Sequence, residues 1–171
     1  LDNLTSKTAD IDGSTTATTT YHYDLDDKLT RVTSAEGIET KWTYNDLDLN
    51  TSVILGYGSS DAATYSYGYD GNFRLTTVTE PLGSNYVTTY AYDHHDRLTK
   101  VTNAAGTYVS SVFSNHRLTA SETYSSGNTL LAKTTFGYHS ASRLTTTEVM
   151  AKDDGGNNIG GDGWMTSTIV Y

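Results

Sequence analysis

Tyr90-Ala91-Tyr92-Asp93-His94-His95-Asp96-Arg97-Leu98-Thr99-Lys100-Val101-Thr102 is the stretch that decides the fold. Tyr90 and Tyr92 alternate with a small residue, so both rings fall on one face of an extended strand. The polar run from Asp93 to Asp96 reads as a tight turn, where an Asp side chain can bond to backbone two residues on. Leu98 to Thr102 then reads as a second strand, rich in the β-branched residues that suit a pleated surface.

Working outward, the same order recurs. Aromatic strands are predicted at Tyr21-His22-Tyr23-Asp24, Tyr65 to Asp70, Tyr90 to Asp93 and Phe136-Gly137-Tyr138. The triplet Arg/Lys-Leu-Thr follows at Lys28-Leu29-Thr30, Arg74-Leu75-Thr76, Arg97-Leu98-Thr99, Arg117-Leu118-Thr119 and Arg143-Leu144-Thr145. A worn copy runs from Tyr44 to Thr51, with Asn50 in the leucine place. Successive copies are then 21, 25, 23, 20 and 26 residues apart. A period of this size means an array of small units, not an ordinary globule. Second strands are expected at Leu29 to Thr33, Leu75 to Thr79 and Leu98 to Thr102. Leu and Val lie three apart in each, so strict alternation fails there and the buried face stays open.

Gly37, Gly58, Gly83 and Gly106 each fall eight residues after their leucine position, and Gly127 falls nine after Leu118. Such a register suggests backbone positions that need positive φ. Hairpin should follow hairpin in a continuous antiparallel meander, which strand twist would coil into a spiral or shell. The expected organisation is a single array over 1–171 of about seven hairpin repeats. Asn3-Leu4-Thr5 reads as the end of one repeat and Thr166 to Tyr171 as the start of another. Both end repeats are therefore expected to be incomplete, within a longer array.

Composition agrees with an all-β chain. Fourteen tyrosines stand against 3 phenylalanines, 2 tryptophans and 1 proline, and no long amphipathic helical stretch is present. The formal charge of −9 opposes binding to nucleic acid, which requires clustered Lys and Arg. It opposes an anionic membrane surface equally. No apolar run approaches the roughly 18 residues of a membrane-spanning helix. There is no cysteine, which removes disulfide and thiolate chemistry without fixing the compartment.

The pattern Tyr-x-Tyr-Asp, turn, Arg-Leu, glycine-ended turn resembles the YD-repeat or RHS-repeat family. Tyr21 to Thr33, Tyr67 to Thr79 and Tyr90 to Thr102 carry the resemblance best, and it extends from about Leu4 to Tyr171. The family usually places Gly just before Arg-Leu, whereas this chain has Asp27, Phe73, Asp96, His116 and Ser142 there. The first turn must therefore change conformation or accept strain. The resemblance implies a secreted or cell-surface protein: bacterial polymorphic toxins, insecticidal toxin complexes and teneurin-like adhesion proteins belong to the family. In its toxins the array winds into a hollow β-shell around a toxic domain. The Asp-Pro-Leu-Gly-like core that self-cleaves in such toxins has no counterpart here, since Pro81 sits in the ordinary turn Glu80-Pro81-Leu82-Gly83.

Four groups of residues invite chemistry. His94-His95 beside Asp93 and Asp96 could bind a metal, although neighbours on an extended chain point to opposite faces. The run Lys152 to Gly163, and Asp10-Ile11-Asp12-Gly13, combine Gly with Asp or Asn oxygens as calcium loops do, without EF-hand spacing. Asp24, Asp26 and Asp27 are paired carboxylates of the kind glycosidases use, but they sit in a turn. The tyrosine rows could stack on sugars, or on one another as the repeat's own packing. No catalytic, cofactor or metal residue is assigned. The expected function is a non-catalytic structural scaffold, the wall of a toxin-encapsulating shell. The alternative is an adhesion or glycan-binding surface protein assembling end to end into filaments. Expected partners are the rest of a longer chain or identical copies through end strands, an enclosed toxin domain, and in the alternative a glycan.

Overall fold

A computed structural model describes residues 3–139, 144–151 and 164–168. It divides into two compact units, one ending at Tyr86 and one beginning at Val87. The first holds β1 (Ser6–Asp10), β2 (Thr16–Tyr23), β3 (Leu29–Thr33), β4 (Glu39–Tyr44), β5 (Asn50–Leu55), β6 (Ala63–Tyr69) and β7 (Leu75–Thr79). The second holds β8 (Val87–Tyr92), β9 (Leu98–Thr102), β10 (Tyr108–Ser114), β11 (Arg117–Tyr124), β12 (Leu130–Tyr138), β13 (Leu144–Ala151) and β14 (Trp164–Thr168). Within each unit every strand pairs antiparallel with the next, so each is a meander in chain order. The predicted second strands at 29–33, 75–79 and 98–102 are β3, β7 and β9.

A recurring β-bulge explains the Leu-Val spacing. Tyr23 lies opposite Leu29, and His22 lies opposite Arg31, so Thr30 is the extra residue. The same shift leaves out Thr51, Thr76, Thr99, Thr119 and Thr145 in later hairpins. One inserted residue returns a three-residue spacing to a single face. Leu29 and Val32 therefore oppose Tyr23 and Tyr21, and Leu98 and Val101 oppose Tyr92 and Tyr90.

The turns share one construction. In the first turn of a repeat, Asp24, Asn45, Asp70 and Asp93 donate their own N–H to the carbonyl four residues on. Their side-chain Oδ1 accepts two further N–H groups, as Asp93 does from His95 and Arg97 at 2.8 and 3.1 Å. The fourth residue is left-handed in each: Asp27, Asp48, Phe73 and Asp96 have φ of 61, 64, 64 and 61°. This is a type I turn closed by a residue in the left-handed region. The place where the family has Gly thus accepts the strain of a left-handed backbone, as His116 also does at 68° within the tighter Asn115-His116 turn. Ser142 lies outside the described residues.

Second turns repeat the design. Gly37, Gly58, Gly83 and Gly106 have positive φ, as their register predicts. Gly127 departs from the expectation: Asn128 takes the left-handed position instead, at 63°, because the turn from Ser125 to Thr129 closes one residue later. Asn tolerates that conformation better than most side chains.

Among the described residues Ala120, 6% exposed, is the one buried hydrophobic side chain. Strand side chains are mostly half-buried, so the main-chain ladders and cross-strand pairs carry much of the stability. Thr43 with Ser52 at 2.7 Å and Lys133 with Glu122 at 2.8 Å are such pairs.

Candidate functional site

The recurring residues converge on the join between one repeat and the next. Tyr44 Oη donates to the carbonyl of Leu29 at 2.8 Å, and Tyr69 Oη to that of Asn50 at 2.8 Å. Tyr138 does the same to Leu118 at 2.8 Å, and Tyr23 to Leu4 at 3.1 Å. The acceptor is always the leucine position of the preceding repeat. This accounts for the worn copy: the join uses a main-chain oxygen, which Asn50 supplies as well as leucine does. The Asn50 side chain adds bonds to the carbonyls of Thr43 and Ser52 at 3.1 and 3.2 Å.

Each member of the triplet has a place in this join. The basic residue reaches the aromatic of the following repeat: Lys28 lies 5.8 Å from the Tyr44 ring centre, Arg97 4.3 Å from Phe113 and Arg117 5.5 Å from Tyr138. A cation over an aromatic face is attracted by the ring quadrupole. Phe113 lacks the hydroxyl of the other copies, and there the guanidinium comes nearest of these three. The threonine at the bulge turns its hydroxyl back: Thr30 donates to His22, Thr99 to Ala91 and Thr119 to Val112, at 3.1–3.2 Å.

Charge fixes the basic residue. Arg97 Nε and Nη2 meet Asp93 Oδ2 at 2.7 and 2.6 Å, and Arg74 meets Asp70 the same way at 2.8 and 2.7 Å. These guanidinium hydrogen bonds, with backbone N–H groups behind them, hold both carboxyls below the usual carboxylate range. In the first repeat Asp24 caps the turn while Lys28 pairs with Asp48 and with Asp26. Lys28 is raised above its ordinary value, chiefly by the bond to Asp48. Tyr44 and Tyr69 are pushed up, first of all by burial.

The other sequence candidates fare differently. Tyr23, Tyr67 and Tyr92 are half-buried, between a packed and a presented ladder. Asp12 spends its oxygens on Ser14 and Thr15, which lowers its carboxyl through the Ser14 backbone bond first. Asp24 and Asp26 serve the turn, and Asp27 accepts from Asn3 at 2.7 Å. The run from 152 to 163 lies outside the described residues. His94 and His95 sit in the turn expected from Asp93 to Asp96, where their ring centres come within 3.9 Å. Among the described residues no three His, Asp or Glu side chains form a ready metal cage. A cleft of about 600 Å³ in the first unit, lined by Ile38, Glu39, Leu55, Tyr57 and Asp61, carries no cluster of catalytic groups.

Comparison with known families gives a match to the RHS Repeat model at residues 83–108. Residues 83–108 are thus similar to an RHS repeat. The matched stretch contains the β8–β9 hairpin, with Tyr90, Tyr92, Asp93, Arg97 and Leu98, and ends in the Gly106 turn. No curated protein matches. Among solved structures, this chain is similar to one in a crystal structure of TcdB2-TccC3-Cdc42, with a TM-score of 0.50 at 13% identity over 91% of its length. A Tc holotoxin pore from Photorhabdus luminescens, carrying a TccC3 mutation, gives a TM-score of 0.53 at 12% identity over 90%. The likeness is one of fold. The chain spans about a tenth of each of those chains, at 10%.

The Tyr–carbonyl join escaped sequence reasoning because its acceptor is backbone and leaves no residue signature. The bulge threonine had a signal, the failed Leu-Val alternation, but periodicity alone does not say which residue is extra.

Proposed function

We propose that the chain is a non-catalytic structural scaffold: a segment of a longer RHS-repeat array that forms the wall of a secreted or cell-surface shell enclosing a toxin domain. The observation that carries this reading is the join itself. Tyr, Asp, Arg, Leu and Thr, the residues that recur, are all engaged in turns, bulges and contacts between neighbouring repeats. A chain whose recurrent side chains are so engaged is suited to being a wall. The match at residues 83–108 and the fold likeness to chains of Tc toxin structures support the same reading. The single array over 1–171, with incomplete end repeats, belongs to this proposal. End strands would join the rest of a longer chain, since an open edge offers unpaired backbone groups.

The test is electron microscopy with limited proteolysis on the full-length protein that contains this chain. Hollow particles in which a segment outside the array resists protease until the particle is opened would support the wall. Filaments of copies joined end to end, with no protected segment, would favour adhesion instead.

A further inference from the structure

We propose that His95 and His116 together bind a borderline transition-metal ion such as Zn²⁺, Ni²⁺ or Cu²⁺, linking two successive hairpins of the second unit. His95 lies in the turn between β8 and β9, and His116 in the turn between β10 and β11. They are 21 positions apart in sequence, yet their ring centres are 5.2 Å apart at an interplanar angle of 83°. With metal–nitrogen bonds of about 2.0–2.1 Å, two imidazoles at a tetrahedral angle hold their ring centres roughly 5 Å apart. The observed separation therefore suits one shared ion without moving either turn. Both rings are exposed, so each can rotate a nitrogen toward the ion while water fills the remaining positions.

Backbone geometry favours this pairing. His116 is held left-handed at φ 68° and Asp96 at 61°, which fixes the two turns that present the rings. His94 leans on His95 at 3.9 Å, and Asp96 adds a negative charge to the same turn. Imidazole suits Zn²⁺, Ni²⁺ and Cu²⁺, whereas Ca²⁺ and Mg²⁺ prefer oxygen, so the site should discriminate. Two protein ligands completed by water imply weaker binding than a four-ligand structural zinc site.

The experiment is isothermal titration of the tag-free chain with NiCl₂, ZnCl₂ and CaCl₂ at pH 7.5. One equivalent of Ni²⁺ or Zn²⁺ should bind, and Ca²⁺ should not. His95→Gln and His116→Asn should each weaken binding at least tenfold; Asn is chosen because it tolerates the left-handed backbone. His22→Gln should bind as the parent does. Cu²⁺ electron paramagnetic resonance supplies a second readout, with hyperfine splitting from two nitrogens in the parent and one in either variant. Absence of saturable binding, or unchanged binding in His116→Asn with circular dichroism intact, would overturn the proposal.

Discussion

Tyr44 Oη rests 2.8 Å from the carbonyl oxygen of Leu29, a hydrogen bond that spans from one repeat to the one before it. Tyr69 bonds the carbonyl of Asn50 at the same distance, although Asn50 has lost the leucine side chain. The join thus survives sequence decay on its acceptor side and depends on the donor. Tyr44→Phe and Tyr69→Phe should each cost about 0.5–1.5 kcal/mol, with the carbonyl left short of a partner. Chemical denaturation would read this directly. Unchanged midpoints in both variants would remove the hydroxyl from the account.

Phe73 tests the strain in the first turn. It holds φ at 64° with its ring 55% exposed, so a bulky residue occupies a left-handed position with little packing in return. Left-handed backbone costs a non-glycine residue roughly 1–2 kcal/mol, part of which glycine gives back through its freedom when unfolded. Phe73→Gly should therefore stabilise the chain by about 0.5–1 kcal/mol. Thermal unfolding would show a rise in midpoint of a few degrees.

Gly106 tests the opposite case. Its φ is +80°, and an added Cβ would stand 2.9 Å from the Cβ of Ser126 in the next second turn. Gly37 has φ of +79° with nothing within 4 Å of the same position. Gly37→Ala should cost only the left-handed strain, about 1–2 kcal/mol, and Gly106→Ala clearly more. Comparison of the two denaturation midpoints isolates the contact between neighbouring turns. Equal losses would mean that the turns do not press on each other.

Much of the fold was legible because its markers are local. Tyr92, Asp93, Arg97 and Leu98 sit within one hairpin, and their order marks strand, turn and strand without any long-range knowledge. The glycine register located the positive-φ positions at 37, 58, 83 and 106, failed at Gly127, where Asn128 takes the left-handed place, and did not find Gly13 or Gly56. What was not legible lies between repeats. Leu29 reads as a packing residue, yet the atom that serves Tyr44 is its main-chain oxygen. His95 and His116 belong to different hairpins, so their proximity follows from strand register and from the short Asn115-His116 turn. Neither is a property of sequence spacing.

Acid should loosen the turns through Asp70 and Asp93. Both carboxyls are held low, first of all by the hydrogen bonds from Arg74 and Arg97. A group with a depressed folded value contributes stability that is present above its unfolded value of about 3.9 and is lost as pH falls below it. Stability should therefore fall as pH drops from about 5 toward 2. Asn45 already caps an equivalent turn without charge, accepting from Leu47 and Leu49 at 3.0 Å. Asp70→Asn with Asp93→Asn should accordingly keep the fold, lower stability at pH 7 and flatten the acid slope. Urea midpoints across that range would check it, and an unaltered slope would exclude these two pairs.

Alkali should act on the join itself. Tyr44 and Tyr69 are raised above the ordinary phenol value, chiefly by burial, and an ionised phenolate cannot donate to a carbonyl. A group with a raised folded value contributes stability fully present below its unfolded value, about 10, and loses it as pH climbs through the folded value. Ionisation of these two tyrosines and loosening of the first unit should therefore proceed together above about pH 10. Phenolate absorbance near 295 nm, followed beside far-ultraviolet circular dichroism, would reveal a late ionising fraction that coincides with loss of strand signal. In Tyr44→Phe with Tyr69→Phe that late fraction should shrink to the contribution of Tyr124, which its bond to Glu122 also raises, and the alkaline slope should flatten. An undiminished late fraction and slope in the double variant would place the alkaline transition elsewhere in the array.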